Sequence, residues 1–194
     1  MAETKELKVE EIKKSAEEKS CPVQRSLYYI SEFLSGPMCG RCFPCAMGSY
    51  EARTRLQTII EGRGTEADIR ALKRITAEMA EASMCKKGKD TASFISGWLN
   101  EGAFHEHVGG TCSSGECIAL IEYRVVPGNC TACGRCKEVC THNAVTGEKA
   151  KPYRSGLPFE IRQKRCTRCG ECIKVCPEEA IVLVGVKDST LAGV

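Results

Sequence analysis

Leu27, Ile30, Phe33 and Leu34 recur at helical spacing, and Leu56, Ile59 and Ile60 repeat that spacing further along the chain. Ile69, Leu72, Ile75 and Met79 continue it behind Thr65-Glu66-Ala67-Asp68, a capping-box sequence that predicts a helix start. A fourth helix is predicted over about residues 90–99. Together these segments predict a small helical bundle across residues 21–107, preceded by residues 1–20 as an exposed, charge-striped helix or tail. The pattern then changes. Residues 123–126 and 181–186 are rich in β-branched side chains and predict two short strands. Between them, residues 147–164 contain Pro152, Gly156 and Pro158 and predict a loop or hairpin excursion.

Composition alters this picture in one respect. The 194 residues include 15 cysteines, whereas aromatics make up only 6%. The longest uncharged apolar stretch, residues 180–186, is too short to span a bilayer. Residues 1–19 mix Lys and Glu and do not resemble a signal peptide. The expectation is a soluble, cytoplasmic chain with no membrane insertion. A reducing compartment argues against disulfides, and an odd number of cysteines cannot pair completely, so metal is the better use for them. The formal charge of +3 counts the thiols as neutral. Each [4Fe–4S]2+ core on four thiolates adds about −2, so three of them take +3 to about −3. The charge therefore gives no argument for nucleic-acid binding.

The clearest motif is duplicated. Cys130-Thr131-Ala132-Cys133-Gly134-Arg135-Cys136-Lys137-Glu138-Val139-Cys140 returns as Cys166-Thr167-Arg168-Cys169-Gly170-Glu171-Cys172-Ile173-Lys174-Val175-Cys176. Three thiolates on a tight loop can cap three corners of a cubane, while the fourth, on the following helix, ligates the other cubane. That logic assigns Cys130, Cys133, Cys136 and Cys176 to one [4Fe–4S] cluster. It assigns Cys166, Cys169, Cys172 and Cys140 to a second. Zinc knuckles are disfavoured, because they pair two short motifs across a longer gap. Residues 122–186 resemble the bacterial two-cluster ferredoxins, with Thr141 where that family usually has proline. An α+β ferredoxin-like domain is therefore expected over residues 122–194.

A further C-x2-C-x2-C stands at Cys39-Gly40-Arg41-Cys42-Phe43-Pro44-Cys45, with Cys85 as the distant fourth thiol. The spacing alone suits a third cubane or a zinc ion. Together with Gly62-Arg63-Gly64, Asp68, Leu72 and Ser83-Met84-Cys85-Lys86-Lys87-Gly88, this motif resembles the C-terminal iron–sulfur domain of the NADH-binding flavoprotein (diaphorase) subunit of respiratory complex I. The same domain occurs in the diaphorase subunits of electron-bifurcating hydrogenases and NAD-dependent formate dehydrogenases. The likeness covers about residues 24–107 and implies a mainly α, four-helix domain with one [4Fe–4S] cluster beside a flavin. Pro37-Met38 and Ala46 depart from the usual Glu-Ser and Arg of that family. About 20 residues precede Cys21, too few for a nucleotide-binding fold, and Gly62-x-Gly64 follows a predicted helix rather than a strand. No bound flavin or NAD is expected.

Cys21, Cys112 and Cys117 lie outside these three sets. Two of them stand in His107-x4-Cys112-x4-Cys117, within a connection over residues 108–121. Three thiolates and an imidazole suit tetrahedral Zn2+. Core thiols and a [2Fe–2S] site are the alternatives, and His105 is the alternative imidazole. The resemblance to bifurcating-hydrogenase diaphorases implies a zinc ion at the junction of the two domains.

Other features carry blander readings. Tyr28, Tyr29 and Phe33 read as core, and His142 as a surface residue. Arg162, Lys164, Arg165 and Arg168 form a basic patch that offsets cluster charge or steers an acidic partner.

The resulting expectation is an electron-transfer subunit with three [4Fe–4S] clusters and one Zn2+. It would relay electrons between a partner flavoprotein and a second redox or catalytic subunit, in an anaerobic oxidoreductase complex of the hydrogenase, formate dehydrogenase or bifurcating type. Two alternatives stand beside it: a diffusible polyferredoxin, and a zinc- or cluster-binding regulatory protein.

Overall fold

A computed structural model of the chain describes residues 8–151 and 156–187. About half of the chain is helical, and the contacts divide it into two compact units, Met1–Leu120 and Ile121–Val194.

Among the described residues the first unit contains six α-helices: α1 (Val9–Glu17), α2 (Pro22–Ser35), α3 (Phe43–Ile60), α4 (Glu66–Ala82), α5 (Lys86–Leu99) and α6 (Ala103–Val108). Prolines fix the first turns of α2 and α3, where a missing N–H costs nothing. The chain leaves α3 through Gly62, whose φ of +77° suits glycine. The Gly62 N–H donates to the Ile59 carbonyl and the Arg63 N–H to Thr58, closing the helix end. Gly62-x-Gly64 is therefore a helix–helix turn. At the start of α4 the Asp68 carboxylate accepts from both the N–H and the hydroxyl of Thr65, at 2.9 and 2.7 Å. Its other oxygen accepts from Arg55 on α3 at 2.8 Å.

Helix α2 packs on α3, α3 on α4, α4 on α5, and α5 back on α2; α1 lies along α2. Ile30, Phe33, Leu56, Ile59, Leu72 and Ile95 are completely enclosed where these faces meet. Each contributes about 1.5–3 kcal/mol of burial, which outweighs helix propensity as the source of order. Tyr29 and Phe33 are core residues, and Tyr28 is half-buried. Helix α5 starts at Lys86, earlier than the apolar spacing suggests, because Lys86-Lys87-Gly88-Lys89 contributes no apolar periodicity. Helix α6 has only Phe104 and His107 buried, too few to form a readable stripe. Residues 1–7 of the anticipated N-terminal tail lie outside the described residues.

Among the described residues the second unit holds two small antiparallel ladders. Strand β1 (Ile121–Val125) pairs with β4 (Ile181–Gly185), from Ile121 opposite Gly185 to Val125 opposite Ile181. Strand β2 (Val145–Thr146) pairs with β3 (Glu160–Ile161), so the excursion between the motifs is bounded by a short ladder. Residues 152–155 of that excursion lie outside the described residues. Two single-turn helices, α7 (Arg135–Glu138) and α8 (Glu171–Lys174), start from Gly134 and Gly170, both left-handed at φ +85° and +79°. Among the described residues no helix is long and apolar enough to cross a membrane.

Candidate metal centres

The sequence duplication is written into the backbone of the second unit. Among the described residues, its left-handed non-glycine positions are Ala132, Asn143, Arg168 and Glu179. Ala132 and Arg168 occupy equivalent places in the two motifs, and so do Asn143 and Glu179. Left-handed φ is costly for Ala, Arg and Glu, and it persists only where surrounding structure dictates it. Here it bends each loop so that its cysteines turn inward.

One cavity is lined by Cys130, Cys133, Cys136 and Cys176, with Val125 and Phe159 forming part of its apolar wall. A second is lined by Cys140, Cys166, Cys169 and Cys172, with Val145 and Ile161. Each motif therefore sends its fourth cysteine to the other motif's cavity. The N–H of Ala144 donates to Cys140 Sγ, and that of Ala180 to Cys176 Sγ, both at 3.3 Å. These symmetric N–H···S bonds orient the two crossing thiols. Sequence reasoning did not identify them, because the donors are backbone amides that carry no side-chain signal. Burial, then the neighbouring Cys166 and Cys169, pushes the Cys172 thiol up to about 11. Burial likewise raises Cys136. Thiolates in such surroundings need a cation at the centre of the site.

In the first unit a third cavity is lined by Cys39, Cys42, Cys45 and Cys85, together with Phe33, Arg41 and Lys87. Cys42 caps α3 and Cys85 caps α5, so two helix starts present thiols to one space. The backbone N–H of Met84 bonds Cys42 and lowers its pKa. Burial, followed by the charges of Cys42 and Cys85, pushes Cys45 up to about 11. Gly88 permits this convergence: a Cβ there would lie 2.8 Å from Ser83 Oγ and 3.1 Å from Cys45 Sγ.

The fourth group is Cys21, His107, Cys112 and Cys117, all buried, with their ligand atoms within 4.8 Å of one another. Cys21 Sγ lies 3.2 Å from His107 Nε2 and 3.7 Å from Cys117 Sγ, and His107 Nε2 lies 3.3 Å from Cys117 Sγ. A tetrahedron with Zn–S of about 2.3 Å has edges of about 3.8 Å, so these separations fit a zinc-sized ion. His107 Nδ1 faces the Ala103 carbonyl at 2.6 Å, which holds the ring with Nε2 toward the sulfurs. Gln24 Nε2 donates to Cys117 Sγ at 3.6 Å, and the Glu116 carboxylate accepts from the N–H groups of Ser20 and Cys21. Gln24 and Glu116 carry no sequence signal for this role. His105 is exposed and bonds Glu66 at 2.9 Å, away from the group. All four residues belong to the first unit.

The remaining basic candidates are Arg162, Lys164 and Arg165, which are exposed, and Arg168, whose Nε donates to the Ile121 carbonyl. His142 is exposed.

Comparison with known proteins accounts for both units. Residues 25–108 match the NADH-ubiquinone oxidoreductase-F iron-sulfur binding region, and residues 129–180 match the 4Fe-4S dicluster domain. Cys21, Cys112 and Cys117 lie outside both matches. The NADP-reducing hydrogenase subunit HndC of Solidesulfovibrio fructosivorans is 30% identical over 140 residues, covering 71% of this chain and 28% of that protein. The F-type subunit of the Aquifex aeolicus NADH-quinone oxidoreductase is 34% identical over 59 residues, 30% of this chain and 14% of the relative. The mitochondrial NADH-ubiquinone oxidoreductase 51 kDa subunit of Neurospora crassa is 30% identical over 82 residues, 42% of this chain and 17% of the relative. The chain thus spans between 14% and 28% of the length of these relatives. It joins an NADH-ubiquinone oxidoreductase-F iron–sulfur binding region to a 4Fe-4S dicluster domain, and is homologous to HndC and to the C-terminal region of the NADH-quinone oxidoreductase F subunit.

Proposed function

We propose that this iron–sulfur electron-transfer protein is a relay subunit of a NAD(P)H-linked oxidoreductase complex. It stands between a flavoprotein and a second redox or catalytic subunit. One observation carries the reading: three separate cavities are each lined by four cysteines. Three [4Fe–4S] clusters bound there supply one-electron transfer.

In this reading Cys39, Cys42, Cys45 and Cys85 hold one cluster, within the four-helix bundle formed by α2–α5. Cys130, Cys133, Cys136 and Cys176 hold a second, and Cys140, Cys166, Cys169 and Cys172 a third. The linings enclose Cys42, Cys45, Cys136 and Cys172 most fully, and the N–H donors at Met84, Ala144 and Ala180 hold Cys42, Cys140 and Cys176 in place. Cys21, His107, Cys112 and Cys117 hold a structural Zn2+, with all four protein ligands supplied and no open position. This ion ties the start of α2 to the chain following α6. The chain binds neither flavin nor NAD; hydride chemistry belongs to a partner in a hydrogenase, formate dehydrogenase or bifurcating complex. Fifteen free thiols suit a reducing cytoplasm in an anaerobe.

Anaerobic purification from the native host, with iron and zinc analysis and identification of co-purifying chains, tests the proposal. About 12 iron and one zinc per chain, with a flavoprotein attached, is the expected result. Zinc without iron–sulfur absorption or a redox partner would overturn it.

A further inference from the structure

Enclosed hydroxyls on the helices of the first unit are satisfied in one recurring way. Ser26, Thr76 and Thr91 are buried, and each donates to the carbonyl four residues earlier, on Pro22, Leu72 and Lys87. Ser49 on α3 departs from this. It is fully enclosed, yet its Oγ has no hydrogen-bond partner. Ser83, at the end of α4, is 3% exposed and its Oγ is likewise unpartnered. Among the described residues of the first unit these are the only two such oxygens. A buried hydroxyl left unpaired is costly, so each of these calls for an acceptor that comes with the function of the fold.

Both oxygens stand at the same cysteine. Ser49 follows Cys45 by four residues on α3, which places the two on one face of the helix. Burial, then the charges of Cys42 and Cys85, raise the Cys45 thiol, whereas the Ser49 hydroxyl beside it favours the thiolate. Ser83 Oγ and Cys45 Sγ border the same spot from α4 and α3. A Cβ added to Gly88 would lie 2.8 Å from the first and 3.1 Å from the second. Cys45 is thus the sulfur that the two hydroxyls have in common. Neither serine lines the cavity with Cys39, Cys42, Cys45 and Cys85, so an inorganic sulfide inside it is a poorer acceptor for them than Cys45 Sγ.

We propose that Ser49 and Ser83 donate O–H···S hydrogen bonds to Cys45 Sγ in the cluster-loaded chain and raise the reduction potential at this site. This inference rests on the reading that the four cysteines hold a [4Fe–4S] cluster. Reduction adds one electron and hence one negative charge, and a donor to a ligating sulfur stabilises the more negative state. The protons stay on the serine oxygens in both states.

The test is a potentiometric titration of the whole, anaerobically loaded chain followed by EPR, with proton ENDOR of the reduced state in H2O and D2O. S49A and S83A remove oxygens that make no hydrogen bond in the metal-free fold, so neither substitution takes a contact from the bundle. In S49A/S83A one of three midpoints is expected to fall. At a given potential the ratio of reduced to oxidised cluster at that site should be about tenfold lower, equivalent to about 59 mV for one electron. The other two midpoints should stay where they are, since both serines belong to the first unit. Exchangeable proton couplings that D2O removes from the unsubstituted chain should be weaker in the double variant. Three unchanged midpoints overturn the proposal, and so do three that move together. A single shifted midpoint with the exchangeable couplings unchanged also overturns it, because the serines then act on packing alone. If the unsubstituted chain gives no reduced-cluster signal, the relay reading itself falls, and this inference with it.

Discussion

Cys21 Sγ and His107 Nε2, far apart in the chain, lie 3.2 Å apart in a region where both residues are fully enclosed. The contact joins the start of α2 to α6, and the Ala103 carbonyl behind the ring fixes its direction. Without metal, burial opposes charging His107, but hydrogen bonds to Cys112 and Cys21 outweigh burial and push it up to about 10. Hydrogen bonding among the thiols lowers Cys112 and raises Cys117 in the same group. A dication at the centre relieves both conflicts.

Zinc binding to the metal-free site should therefore release protons, and affinity should rise with pH until His107 is deprotonated near 10. Calorimetry in buffers of different ionisation enthalpy measures the release. Gln24→Ala, which removes the donor to Cys117 Sγ, should weaken zinc by about tenfold. An affinity independent of pH would count against zinc coordination by these side chains.

The crossing of fourth cysteines is tested by comparing single and double variants. Cys140→Ala should lower bound iron from about 12 to about 8 per chain, and Cys140→Ala/Cys166→Ala should lower it no further. Cys140→Ala/Cys136→Ala should lower it to about 4, because the two residues line different cavities. If the two double variants exchange behaviour, the crossing is wrong. Iron and sulfide analysis with Mössbauer spectroscopy gives the count.

Gly88→Ala should selectively harm the site in the first unit. The added methyl would meet Ser83 and Cys45 within 3.1 Å, so α5 must shift away from α3. A stability loss of about 1–3 kcal/mol is expected, with iron lost from this site first. Gly97→Ala on the same helix meets nothing within 4 Å and is the control; it should be neutral or slightly stabilising. Thermal unfolding and iron content distinguish the two.

Asp68 provides a pH-dependent anchor for α4. Its carboxyl is held below the ordinary aspartate value: burial opposes this, but hydrogen bonds from Thr65 and Arg55 prevail. A depressed folded pKa means that its contribution is fully present above about pH 4 and is lost as pH falls through the folded value. Asp68→Asn should cost about 1 kcal/mol at pH 7 and flatten that acid limb. Denaturant titration between about pH 2 and pH 7 measures both effects.

Where local chemistry decides structure, the sequence was legible. The Thr65-to-Asp68 cap, the α2–α4 stripes and the β1 and β4 runs are patterns a short window contains, and the structure has those elements. The early start of α5 was not legible, because Gly88 serves the approach of Ser83 and Cys45 rather than the helix. Strand β1 begins at Ile121, earlier than its composition indicates, because pairing opposite Gly185 sets its length.

The sequence by itself determined the thiol-rich chemistry and the two repeated motifs, since C-x2-C-x2-C spacing restricts where nearby sulfurs can point. It left open which imidazole meets Cys21, Cys112 and Cys117. Only the tertiary structure decided that His107 turns inward while His105 bonds Glu66 at the surface. Two positions along a short helix face different sides, and only the packing of α6 against α2, α3 and α4 selects the side that is buried. The Gln24, Met84, Ala144 and Ala180 hydrogen bonds to sulfur were likewise decided there. Their donors are ordinary amides, and only folding places them beside the thiols.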